Sequence, residues 1–424
     1  MSAAPEAAER PRSEGLIVFL VAAIQFINIL DFVIPLPLGP DLAQGLGFGA
    51  DQIGLVGGAY TYAAAVSGLA GSFFLDRFDR RKVVAVAMSG LVLGTVAGGF
   101  ARGLGTLMAA RLFAGFFGGP ATSVSMSIVA DVVPVARRGK ALSRVMLAFS
   151  VAQVVGTPLA LVLARKFGWR APFFVTAAAG VLVVAVAISF LPPMRGHLKA
   201  EGPVPHRHAL REMAEIIRTP MVQLSYCITA VVMVGGFILI PNISAYVQGN
   251  LGFPRDSLQY LYLVGGFASF ATLWRVGRLV DRYGSFRMSL VGALMLSATV
   301  FVGFIHYPPG FPVAAIFVAF MVSAAFRNVP YQTLASRVPQ PAWRARFMSL
   351  QSTVQHIASG VGASASAWIL SETADHKLVH IEVVAWLSIL LTLATPPLIR
   401  MLEERVAARE RGVQSAQRSA LAPS

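Results

Sequence analysis

Four side chains have a chemistry that does not suit their surroundings. Asp31 lies in INILDFVIPL (27–36), Arg111 opens RLFAGFFGGP (111–120), Arg327 precedes Asn328 in an apolar run, and His356 follows Gln355 in another. A carboxyl group withdrawn from water holds its proton more firmly, and a neighbouring guanidinium loosens it again. If the two separate, or a solute competes for the guanidinium, such a carboxyl can take up and release a proton near neutral pH. Asp31 and Arg111 are therefore the candidate proton-coupling pair; the alternative is a static ion pair that fixes helix register. Arg327 is permanently charged, so it either meets an anionic or strongly polar group of a solute or bonds helix carbonyls and snorkels. His356 can titrate, although a lone histidine in an apolar run equally serves as a hydrogen-bonded packing residue. Gln25, Asn28, Tyr60, Gln153, Asn242, Tyr246, Asn328, Gln351 and Gln355 are uncharged polar residues in comparable settings, candidates for lining one central cavity. Gln351, Gln355 and Ser359 recur every four residues and so share a helix face.

What must position these groups is a set of membrane-crossing helices. Of 424 residues, 56% are hydrophobic and 13% charged. About 20 helical residues cross a hydrocarbon core about 30 Å thick. Twelve runs of that order occur, near 15–38, 51–75, 83–101, 106–131, 140–164, 171–192, 220–247, 257–280, 287–306, 311–336, 346–370 and 379–400. The first is much longer than a signal-peptide core and reads as a retained span. At about 1.5 Å per residue, Asp31 lies about 24 Å along its run and Arg111 about 8 Å into its own from the opposite side. Both fall in the same half of the membrane. Arg327 lies about 24 Å along its run, nearer the other face.

The formal net charge of +15 is a topology signal. Outside the spans, Arg102, Arg165, Lys166, Arg170, Arg255 and Lys377 fall on one side, and every other Lys and Arg falls on the side of the N-terminus. Basic loops stay in the cytoplasm, so both termini are expected there, beside the anionic lipid of a cell's inner membrane. No basic face is interleaved with stacking aromatics, which argues against nucleic acid as a partner. The single cysteine, Cys227, excludes an intramolecular disulfide. His376 and His380 beside Glu372 and Asp375 make only a weak metal set, and His206 and His208 lie in a polar loop. No HExxH, paired membrane aspartates or nucleophile elbow marks an enzyme, and no glycine-rich lysine loop marks an ATPase. No metal or organic cofactor is expected, and the energy source is then a gradient.

The chain repeats itself at about 205 residues. Asp76-Arg77 in GSFFLDRFDRRK (71–82) returns as Asp281-Arg282 in GRLVDRYGSFR (277–287), and Val133-Pro134 returns as Val338-Pro339. Phe32 and Phe237 keep the same offset, each followed by a proline, Pro35 and Pro241, while Gly236 takes the place of Asp31. The expected organisation is an N-tail (1–14), two six-helix bundles (15–192 and 220–400) joined by a linker (193–219), and a C-tail (401–424). Within the linker, Ala209 to Arg218 reads as a short amphipathic surface helix.

These features resemble the major facilitator superfamily over about residues 15 to 400, and within it the drug/proton antiporter and sugar-efflux branches. The loop signature of that family, glycine-x-x-x-aspartate-arginine-x-glycine-arginine-arginine, is matched by Asp76, Arg77, Arg80 and Arg81, with Ser72 and Asp79 in place of the glycines. Asp79 is expected to take the left-handed turn that glycine would. The second copy keeps Gly277, Asp281, Arg282 and Gly284. Arg111 with Gly115, Gly118 and Gly119 resembles the family's span-four motif, Gly156 and Pro158 its span-five antiporter motif, and WRAPFF (169–174) its span-six start. The resemblance implies an all-α membrane protein with twelve transmembrane helices in two pseudo-symmetric bundles, and a conformational latch at Asp76, Arg77, Arg80, Arg81, Gly277, Asp281 and Arg282. It implies a secondary transporter working by alternating access; a monomer is expected, and its expected function is proton-coupled efflux of an amphipathic small molecule. The alternative is a proton symporter or facilitator importing a sugar or organic anion.

Overall fold

The structure, a computed structural model, describes residues 14–194, 206–340 and 343–421. Each of the twelve apolar runs becomes a helical span. Spans one to six are Glu14–Val33, Ile53–Phe74, Arg80–Gly99, Leu104–Val132, the broken helix Val135–Val151 and Thr157–Phe167, and Ala171–Phe190. Spans seven to twelve are Pro220–Phe237 continued by Ile243–Gly249, then Leu258–Tyr283, Ser285–Val300, Val313–Ser336, Arg344–Ile369 and Ile381–Leu421. Among the described residues, ten helices are by themselves long and apolar enough to cross a membrane. Spans eight and eleven are the exceptions. The first ends among Arg275, Arg278, Asp281 and Arg282, and the second is interrupted by Gln351, Gln355, His356 and serines. Outward faces carry Phe19, Leu93, Leu182, Leu294 and Leu390 exposed, a surface that is stable only against hydrocarbon.

The helix breaks follow local chemistry. Proline lacks an N–H and cannot continue a helical ladder. Span one therefore ends before Pro35 and Pro37, and span seven breaks at Ile238 to Asn242 around Pro241. Span five passes through a π-helical turn, Ala152–Gly156, just ahead of Pro158, which re-aims its second part. Gly156 matters there, since a Cβ would run into the Leu30 side chain of span one.

Among the described residues, three apolar cores hold the bundle. One lies inside the first half (Val21, Ile24, Met88, Leu91, Ile128), and one inside the second near the termini (Val222, Leu334, Phe347, Ile399). The third crosses between halves at the end remote from the termini, where Leu38, Leu42 and Ile53 pack with Leu258, Leu296 and Val384. The linker helix runs His206–Arg218 and buries Met213 and Ile216 in the second-half core, so it docks on protein by that face.

The two loops related by the repeat are built differently. Asp79 has φ −58° and ψ 120°, not the left-handed conformation expected, because its side chain caps span three by accepting from the Arg81 amide at 3.0 Å. The same oxygen accepts from the Met194 amide at 3.1 Å, tying the end of span six to that cap. In the second half Gly284 takes the left-handed turn, φ +86°, and offers no side chain. Glu403 of span twelve supplies the missing carboxylate, accepting from the Ser285 and Phe286 amides at 2.7 and 3.2 Å. A carboxylate on the first amides of a helix is favourable by about 1–2 kcal/mol. Glu403→Ala is expected to lower stability by about that amount, read as a fall of a few degrees in the melting temperature in detergent; an unchanged melt would show that the contact contributes nothing.

Candidate functional site

Spans one, three and four bring the sequence-selected charges together. Asp31 is 2% exposed and Arg111 1%. The guanidinium grips the carboxylate with both nitrogens, Nη1 to Oδ1 at 2.9 Å and Nη2 to Oδ2 at 2.8 Å, and Nη2 also donates to the Asp31 carbonyl at 3.0 Å. Thr95 of span three, which no sequence signal singles out, donates its hydroxyl to Oδ1 at 2.7 Å and has the Leu91 carbonyl at 2.9 Å as a competing acceptor. The outer face of the guanidinium lies 4.8 Å from the centre of the Tyr60 ring. A buried pair is tolerable only when both partners are this fully satisfied.

Beside the pair runs a neutral network. Tyr60 donates to Asn28 Oδ1 at 2.7 Å, and the Asn28 amide donates to the Gly118 carbonyl at 2.8 Å and to Thr122 Oγ1 at 2.9 Å. The glycines of span four make this approach possible: a Cβ at Gly115 would strike the Tyr60 carbonyl, and one at Gly118 its hydroxyl. Phe32 then carries the site across the molecule. Its ring centre lies 5.2 Å from that of Tyr60 and 6.0 Å from that of Phe237. Because Phe32 and Phe237 are repeat partners, their mutual contact places them beside the pseudo-two-fold axis between the halves.

On the far side of that axis Arg327, 4% exposed, points at Gly236, where a Cβ would sit 2.7 Å from Nη2. Its Nε donates to Asn328 Oδ1 at 3.3 Å. Gln25 is buried with Oε1 unpartnered among the described residues, and so is Gln351 Oε1. Gln355 is exposed although it sits about 160° around its helix from lipid-facing Ile357, at about 100° per residue. Met348, half-exposed, shares that face toward the end that carries the termini. His356 bonds the Ser352 carbonyl of its own helix at 2.8 Å.

Other candidates lie elsewhere. Asn242 donates to Ser366 Oγ at 2.9 Å, and Tyr246 to the Gly303 carbonyl at 2.9 Å, both inside the far-end core. Gln153 lines a small cleft with Tyr262, Gly266 and Met321 between spans five and eight. Of the residues expected to form a latch, Arg80 pairs with Asp131 of span four and Arg81 donates to the Ile188 carbonyl. Arg77 is exposed, and the side chain of Asp76 falls outside the described residues. Gly277 has open space around it, Asp281 is exposed, and Arg282 lies 5.2 Å from the ring of Tyr283.

The far end is shut. Asp41 and Arg255 form a two-point pair at 2.9 and 3.0 Å across the halves, Ser244 Oγ donates to the Pro37 carbonyl at 2.6 Å, and Glu372 accepts from the Ala50 amide. A two-bundle molecule closed at one end by contacts across the halves, with polar groups beside the axis, has a geometry suited to alternating access. The model of the Major Facilitator Superfamily matches residues 21–363.

The chain belongs to the major facilitator superfamily. Solved structures agree on the fold of this transporter. A D-xylose-proton symporter superposes with a TM-score of 0.73 at 17% identity, covering 91% of this chain and 97% of that one. A bacterial homologue of the human lysosomal transporter Spinster, inward-facing and unoccupied, gives 0.68 at 17%, covering 95% and 98%. The inward-open xylose transporter XylE from E. coli gives 0.68 at 16%, covering 91% and 96%. At such identities the likeness speaks for the fold and leaves substrate and direction to this chain's own residues.

Proposed function

We propose that the transporter couples proton movement through Asp31 to the efflux of an amphipathic small molecule. The observation that carries this is the two-point Asp31–Arg111 pair, buried beside the axis where the halves meet. A proton on Asp31 removes the counter-charge of Arg111, which is left with the Asp31 carbonyl as a neutral acceptor and with the Tyr60 ring face, the latter worth about 2 kcal/mol when desolvated. Proton occupancy thus changes the stability of this packing and with it the balance between conformations. Phe32 and Phe237, half-buried beside the pair, offer aromatic faces, while the polar groups of Tyr60 and Asn28 behind them are buried and paired, which suits an amphipathic solute.

The far end, sealed by Asp41–Arg255, is on this reading extracytoplasmic, and the exposed face at Gln355 and Met348 lies toward the cytoplasm, as the basic loops require. The protein then sits in a cell's inner membrane as a monomer with both termini inside. The Asp79, Arg80, Asp131 and Arg81 contacts join spans three, four and six at the cytoplasmic face and act as the latch of the first bundle. Import in symport with protons is the second reading, favoured by the likeness to the D-xylose-proton symporter.

The test uses purified protein in proteoliposomes under an imposed pH gradient, with solutes chosen by a thermal-shift screen of amphipathic drugs, sugars, lipids and organic anions. Wild type is expected to concentrate a solute against its gradient, and Asp31→Asn to equilibrate it without accumulation. Accumulation by Asp31→Asn would refute the assignment.

A further inference from the structure

We infer that Arg327, with Gly236 beside it, is the binding point for a carboxylate of the transported solute, which makes that solute an amphipathic organic anion. This rests on the central solute site proposed above, and it concerns the half of the molecule that the proton pair does not use.

The two halves treat the same position in opposite ways. In the first, the residue before the axial phenylalanine is Asp31, and a buried arginine from span four meets it with two hydrogen bonds. In the second, the residue before the axial phenylalanine is Gly236, and a buried arginine reaches it from span ten, with Nη2 standing 2.7 Å from where a side chain would begin. The guanidinium is in place and the acid is absent. Among the described residues no carboxylate pairs with Arg327, and its one side-chain acceptor is the neutral Asn328 Oδ1 at 3.3 Å. Arg327 lies about 21 Å along its helix from Val313 and about 14 Å from Ser336, each more than the length of an arginine side chain. A buried cation without a counter-charge is expensive in a membrane interior and marks a solute or ion pathway; an anionic solute would supply the charge it lacks. A planar guanidinium binds a carboxylate with two parallel hydrogen bonds, and the Phe237 and Phe32 rings, 6.0 Å apart, provide apolar contact for the rest of such a solute.

The experiment is a thermal-shift series on full-length protein in detergent. The probes are 4-phenylbutyrate, 2-naphthoate and decanoate, each measured beside its neutral amide at equal concentration. Wild type should be stabilised more by at least one carboxylate than by the matching amide. Arg327→Met should weaken that binding on the order of tenfold to a hundredfold, the usual loss for a charge-assisted contact. Arg327→Met should also melt higher than wild type without ligand, because it removes an uncompensated buried charge; an arginine held structurally by helix carbonyls would do the reverse. Gly236→Asp is the second variant. It places a carboxylate against the flexible end of Arg327, so it should raise the unliganded melting temperature and abolish the preference for carboxylates. The inference falls if no carboxylate outdoes its amide, if the preference survives in Arg327→Met, or if Arg327→Met melts lower than wild type. These readouts are of binding, so they stand apart from the pH-driven accumulation that tests Asp31.

Discussion

Arg111→Met should lower stability by about 3–5 kcal/mol, far more than its loss of volume explains, and adding Asp31→Asn should restore most of the loss. In the single variant the Asp31 carboxylate keeps Thr95 Oγ1 as its side-chain donor while 2% exposed, so its desolvation is no longer offset. In the double variant neither charge remains, and the asparagine can still accept from Thr95. Four melting curves in detergent (wild type, each single variant and the double) close the cycle. A coupling of about 2 kcal/mol or more is expected, at the upper end for residues in contact. Simple additivity would mean that the pair, whatever its geometry, does not act as a unit. Arg111→Met should also lose pH-driven accumulation, since the element that senses the proton on Asp31 is gone.

That pair was legible in the sequence because depth along a membrane helix can be counted. Asp31 and Arg111 enter from opposite sides and reach the same level, and few other groups in the first half compete for the role. The repeat was legible for a similar reason: Phe32 and Phe237 keep their offset, and the structure brings their rings together. Direction around a helix was not legible. A span that faces protein on one side and lipid on the other is apolar on both, so sequence gives Asn242 and Tyr246 a depth but no facing, and they lie in the far-end core. The partners that complete each site were hidden as well. Thr95 is one hydroxyl in an apolar helix, and Glu403 meets Ser285 from more than a hundred residues away. Asp79 shows the limit of motif reasoning. Aspartate in a glycine position suggested a left-handed turn, but its carboxylate had two amides to accept from, and an extended N-cap satisfies both.

The seam between the halves carries the other large expectation: Gly54→Val should hold the far end open and stop transport while leaving each bundle folded. Gly54 of span two faces span eleven so closely that a Cβ would overlap the Ala363 carbonyl oxygen, with the carbonyl carbon and Ser366 Oγ each 3.0 Å away. Two of those three contacts are backbone, which cannot rotate aside, so valine fits only if the bundles separate there. Separation breaks the weaker cross-seam contacts first, such as Tyr62 to Ser364 at 3.4 Å, and then exposes Ser244, fully buried against Pro37 in the closed form. A Ser244→Cys reporter in a Cys227→Ser background reads this directly. With an impermeant maleimide added at the far side, the reporter should be protected in the otherwise native chain and label readily with Gly54→Val. Gly54→Ala, with one carbon to accommodate, should label at an intermediate rate. Because the bundles are internally intact, the expected loss of solute flux comes with a cooperative melt. If the valine variant stays protected and still transports, the far-end contact is not the gate, and the closure seen at Asp41 and Arg255 has to be assigned to packing alone.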